Sequence, residues 1–167
     1  FMSEAMNIKN ELISIRRDIH ENPELGFEEY RTSKIIQEYL KKEGIDFYCV
    51  AKTGVCAEIN GEGRGKKVIA LRADMDALPI DEKTDCEYKS KIKGKMHACG
   101  HDAHTAILLG AAKILNKNKK YFSGTVKLLF EPAEETTGGA LIMINEGVLK
   151  EPYVERIVGL HVSEDLD

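Results

Sequence analysis

Three short apolar runs constrain this chain most. KVIALRA (Lys67–Ala73), TVKLLF (Thr125–Phe130) and RIVGLHV (Arg156–Val162) read as strands, the first apolar enough along its length to be buried and central. Segments of helical period surround them. Ile8, Leu12, Ile15 and Ile19 form one stripe on a helix expected over Ser3–Asn22 and ended by Pro23. Ile35, Ile36, Tyr39 and Leu40 form the inward face of a second, expected over Glu28–Lys42, with Gly44 as its stop. Strands at Phe47–Val50 and Val55–Asn60 precede a turn through Gly61, Gly63 and Gly65. His104–Leu115 and Gly138–Glu146 read as helices, the former apolar on most sides and therefore well buried. Helices alternating with apolar strands predict an α/β layered domain. No pattern for a closing helix follows the last run before Asp167.

The 167 residues have the size of one domain. Their net charge of −4 is spread along the chain, which argues against a nucleic-acid surface. No apolar run approaches the roughly 20 residues that span a bilayer, so no membrane partner is expected. The start, FMSEAMNIKNEL, lacks a basic flank and apolar core, so it is not a secretory signal, and Phe1 before Met2 reads as an expression remnant. A cytoplasmic protein is expected. The four cysteines fit neither CxxC spacing nor a disulfide scaffold. Cys49 and Cys56 read as small buried hydrophobes on strands, and Cys86 as a loop residue without a role.

Polar segments follow the strands at their carboxyl ends, where α/β enzymes place their sites. In RADMDALP, Asp74 and Asp76 share a side if the chain is extended, and alternation does not choose between them. In MHACGHDAH, three of the five histidines and Cys99 fall within nine residues. Thiolate and imidazole are preferred zinc ligands, and Gly100 lets Cys99 and His101 turn toward one ion. Asp102 is a candidate to hold a ring nitrogen from behind. In FEPAEE, one of Glu134 and Glu135 can ligate a metal while its neighbour moves a proton, the division that metal-assisted hydrolysis requires. A metal-free alternative treats the pair as a helix start, and another makes Cys99 a nucleophile. His161 is a further candidate ligand at the end of RIVGLHV, which reads as a core strand. His20 reads as structural, and Arg16 and Arg17 as surface or supporting groups.

Together RRDIHENPELGFEEYRTS, ALRADMDALP, MHACGHDAHT, FEPAEETTGGA and GLHV resemble the amidohydrolase branch of the aminoacylase and carboxypeptidase-type metallopeptidases. These are N-acyl-amino-acid amidohydrolases such as hippurate hydrolase and N-acetyldiaminopimelate deacetylase. The resemblance covers Ile8 to Val162. It implies a three-layer α/β/α zinc-peptidase-like catalytic domain, with residues 1–167 as its N-terminal part and the lid and the rest of the sheet outside this chain. It implies two divalent metal ions (zinc, manganese, nickel or cobalt), with Cys99, His101, Glu135 and His161 as ligands. Glu134 becomes the general base and Asp76 the supporting acid. The implied substrate is an N-acyl amino acid, the implied assembly a homodimer of the full-length protein, and the isolated chain is expected to be inactive. Glu131 departs from the family's usual Gln and adds negative charge near the metals. Thr136 stands where Gly is common.

Overall fold

The computed structural model describes residues 1–136 and 138–163. The elements are α1 (Met2–Glu21), α2 (Tyr30–Lys42), β1 (Phe47–Val50), β2 (Gly54–Asn60), β3 (Gly63–Asp74), α3 (His101–Lys117), a 3-10 turn (Lys119–Tyr121), β4 (Ser123–Glu131), α4 (Gly139–Asn145) and β5 (Arg156–Gly159). The expected end of the chain at residues 164–167 lies outside the described residues. The strands form one mixed sheet in the order β1-β2-β4-β3-β5. β3 runs parallel to both β4 and β5, while β2 runs antiparallel to β1 and β4.

Period-2 alternation sends side chains to two cores. Val55, Ala57 and Ile59 of β2 and Val126, Leu128 and Phe130 of β4 pack beneath α2 and α3. Full burial of such a side chain is worth roughly 1.5–3 kcal/mol. On the opposite face Cys56, Ala70 and Leu129 meet Met143 of α4 and Val148. The result is the three-layer α/β/α arrangement. Lys127 is fully buried on this second face. Its Nζ donates to the carbonyls of Val148 at 2.9 Å and Glu151 at 2.7 Å, so the charge is not left unpaired.

The crossover from β3 through α3 to β4 sets the carboxyl ends of two parallel strands side by side, with Asp74 opposite Glu131. That edge carries the polar motifs. Four expectations change. β3 begins at Gly63, which pairs with Ser123, so the glycine turn is shorter than its composition suggests. α3 begins at His101 because Gly100 caps it in the left-handed region (φ 82°), without the side-chain cap that sequence reading looks for. Cys49 is exposed rather than buried, because β1 is a short edge strand. RIVGLHV is not a core strand: β5 is exposed along its length, and its strand pairing ends at Gly159, two residues before His161. β5 is an edge because no strand among the described residues pairs with its outer side. No helix among the described residues is long and apolar enough to cross a membrane.

Candidate metal centre

Asp76 organises the site from the end of β3. It is 1% exposed. Its Oδ1 lies 3.1 Å from His101 Nδ1, and its Oδ2 accepts the Glu135 N–H at 3.0 Å. One carboxylate therefore orients both an imidazole and the backbone beneath a glutamate. Burial alone lowers the pKa of His101, but the Asp76 hydrogen bond and the charges of Asp74, Asp76 and Glu135 outweigh it, and the net shift is upward.

With Nδ1 engaged, His101 Nε2 is buried and has no hydrogen-bond partner. Glu135 Oε1 is buried and unpartnered in the same way, 3.7 Å from that nitrogen. Glu134 Oε2 lies 3.9 Å from it. Cys99 Sγ and His161 Nε2 stand 3.7 Å apart. Ligand atoms of Cys99, His101 and His161 lie within 4.8 Å of one another, as do those of His101, Glu134 and Glu135. A buried polar atom without a partner costs about 1–3 kcal/mol, so two that face each other need an explanation. A divalent cation supplies one, because thiolate, imidazole and carboxylate are its ordinary donors. The thiol points the same way. Burial and the nearby charges of Glu135, Asp74 and Glu134 push the Cys99 thiol up to about 12. Such a thiol is a poor free nucleophile, whereas a cation beside it favours the thiolate.

The turn that presents the glutamates is bent. Ala133 has φ 52°, a left-handed conformation that costs a residue with a Cβ about 1–2 kcal/mol. Buried Glu29 holds it, accepting the Ala133 N–H at 2.8 Å and the Thr53 hydroxyl at 2.6 Å. Burial pushes the Glu29 carboxyl above its usual pKa. Gly26 lies against this bend; a Cβ there would come within 2.9 Å of Ala133 Cα. Glu134 and Glu135 thus sit in a turn before α4 rather than on its first turn.

Asp74 has different partners, His104 at 2.6 Å and Arg72 at 2.6 Å. The added charge of Glu131 does not reach the centre unopposed, because Arg72 Nε donates to Glu131 Oε2 at 2.6 Å. Asp102 does hold a ring nitrogen, but it is His20 Nδ1 at 2.7 Å, and the same oxygen receives Arg16 Nε at 2.7 Å. His20 also meets Glu82, through its other ring nitrogen, Nε2, at 3.3 Å. Arg16 supports it, while Arg17 is near the surface and stacks on Tyr88. Sequence reasoning missed Glu29 and His97. The latter is buried with both ring nitrogens unpartnered, and burial lowers its pKa to about 4.

The profile of peptidase family M20/M25/M40 matches residues 70–166. The chain belongs to this family. Curated relatives match it over nearly its whole length. It is 56% identical to IAA-amino acid hydrolase ILR1-like 2 of Arabidopsis thaliana, over 91% of this chain and 34% of that protein. It is 50% identical to N-acetyl-L-cysteine deacetylase of Bacillus subtilis, over 95% of this chain and 38% of that protein. Among solved structures, the Bacillus subtilis YXEP protein, described as a dinuclear metal binding peptidase from the M20 family, superposes with a TM-score of 0.91 at 47% identity. That match covers 96% of this chain and 45% of the other. The chain thus spans between 34% and 45% of the length of these proteins.

Proposed function

We propose that the full-length protein is a metal-dependent amidohydrolase that cleaves N-acyl amino acids to a carboxylic acid and a free amino acid. The observation that carries this reading is the pair of buried, unpartnered ligand atoms, His101 Nε2 and Glu135 Oε1, beside Cys99 and His161. Cys99, His101, Glu135 and His161 would hold two divalent ions, as befits similarity to a dinuclear metal peptidase. Zinc, manganese, nickel and cobalt all suit these donors. Bound there, the ions supply Lewis-acid polarisation of the amide carbonyl and lower the pKa of water.

The chain's own residues do the rest. Glu134 is the more exposed of the two glutamates, with its side chain 41% accessible against 21% for Glu135. It acts as the base, taking a proton from the attacking water and delivering it to the departing amine nitrogen. Asp76 acts through His101 and Glu135 and does not touch substrate. The cysteine-nucleophile alternative is disfavoured by the high thiol pKa. We place the protein in the cytoplasm, in keeping with its four free thiols, and the full-length form as a homodimer.

Glu134→Gln in the full-length protein tests the assignment. Lost turnover of N-acyl amino acids with unchanged metal content is expected; turnover at the wild-type rate refutes the base. The 167-residue chain alone is expected to be nearly inactive on the same substrates.

A further inference from the structure

Resting on that reading, we propose that His104 is a positioning residue for His161: it fixes the segment that presents the His161 imidazole to Cys99. His104 lies on the first turn of α3 and is 1% exposed. Its Nε2 lies 3.0 Å from the Val162 backbone N. A backbone N–H can only donate, so Nε2 carries no proton and the proton is on Nδ1. Nδ1 sits 2.6 Å from Asp74 Oδ1, and donates to it. Both ring nitrogens are engaged. His104 is therefore not itself a ligand, although its ring atoms lie close to Asp74 and His101.

The tautomer is held from the sheet. Asp74 Oδ2 receives Arg72 Nη1 at 2.6 Å, and Arg72 Nε donates to Glu131 Oε2 at 2.6 Å. Glu131 Oε1 in turn accepts the Ala140 N–H at 3.0 Å. The carboxyl ends of β3 and β4 thus fix one imidazole on α3, and that imidazole fixes Val162.

The need for such a device follows from β5. Its ladder ends with Gly159 opposite Arg72, two residues short of His161. Beyond that point the segment is seated on the start of α3. Gly100 leaves room for it, since a Cβ there would fall 2.3 Å from Val162 Cγ2. The His104 and His161 rings meet edge to face, with centroids 5.0 Å apart. Partners that orient a metal ligand from behind typically change metal affinity 10–100-fold when removed.

The test uses full-length protein, stripped of metal and titrated with Co2+ alone, with affinity read from absorption and amide exchange measured at Val162. His104→Phe keeps a ring but removes the acceptor. Its Co2+ affinity should fall roughly tenfold or more, and Val162 should exchange faster while circular dichroism is unchanged. His104→Gln, whose side-chain carbonyl can accept the Val162 N–H, should recover part of both. Wild-type Co2+ affinity in His104→Phe overturns the proposal. So does an unprotected Val162 amide in the wild type, which requires no variant to fold. If Cys99→Ala binds Co2+ like the wild type, the metal reading itself fails. If Cys99→Ala binds weakly while His104→Phe binds normally, only the role of His104 fails.

Discussion

Two clusters in this molecule contain the same kinds of side chain and differ in one respect. His20, Glu82 and Cys86 bring an imidazole, a carboxylate and a thiol together as closely as Cys99, His101 and His161, or His101, Glu134 and Glu135, are brought together. In the first cluster both ring nitrogens of His20 and both oxygens of Glu82 are engaged. His20 Nδ1 meets Asp102 at 2.7 Å and its Nε2 meets Glu82 at 3.3 Å. Glu82 Oε1 also accepts the Thr84 hydroxyl, and its Oε2 accepts the Ser90 N–H at 2.6 Å. In the second region His101 Nε2 and Glu135 Oε1 have no partner. Proximity of ligand types is thus a weak indicator of a metal site; proximity combined with unmet bonding capacity is a stronger one, since His97 is unpartnered yet belongs to none of these ligand groups.

The sharpest way to break this contrast is at Glu134. Glu134→Gln should reduce kcat by about 10²–10⁴-fold with metal content intact, as checked by steady-state kinetics and elemental analysis. The self-satisfied cluster should respond in stability instead. His20→Phe removes the ring that Asp102 and Glu82 share, although Asp102 keeps Arg16, and should cost about 1–3 kcal/mol in a denaturant titration, with metal content unchanged.

The pH dependence of that cluster has a definite sign. Burial lowers the His20 pKa, but Asp102 and Glu82 outweigh it, so the folded value lies above the usual 6.5. The His20 contribution is therefore complete below pH 6.5 and lost as pH rises through the raised value. Burial raises the Asp102 and Glu82 carboxyls, yet their hydrogen bonds bring both below the usual range. Their contribution is present above the unfolded carboxylate pKa and lost as pH falls through the folded one. Unfolding curves across pH should show both losses in the wild type and a smaller alkaline one in His20→Phe, where the upward-shifted His101 still contributes.

Asp76→Ala should weaken metal binding by about 10–100-fold, because it releases His101 and the Glu135 backbone together; equilibrium dialysis reads it. The smallest effect belongs to Cys49→Ser on the exposed edge strand, within about 0.5 kcal/mol by thermal unfolding.

Periodicity made much of the architecture legible. The helices and the three apolar runs lie where the pattern predicts, because both cores are built from side chains at regular spacing. The misreadings arose where a long-range neighbour decides the outcome. β5 reads as a core strand by composition but lies at the edge of the sheet, and Cys49 reads as buried but sits on the opposite edge. Candidate ligands were visible because Cys99 and His101 are close in sequence. Glu29 was not, since it meets Ala133 across 104 residues and nothing local marks it. His104 was in plain view within the motif, but its role depends on Val162, 58 residues away. The choice of Asp76 over Asp74 came only through resemblance; in the structure Asp76 meets His101 and the Glu135 N–H, while Asp74 meets His104 and Arg72.

The most direct test is the metal content of three full-length proteins purified without chelator: wild type, Cys99→Ala and Cys86→Ala. Elemental analysis should find bound transition metal in the wild type, the same amount in Cys86→Ala, and less in Cys99→Ala. Equal metal content in the wild type and Cys99→Ala, or a loss confined to Cys86→Ala, would contradict the assignment of the metal centre to the cluster with unmet bonding capacity.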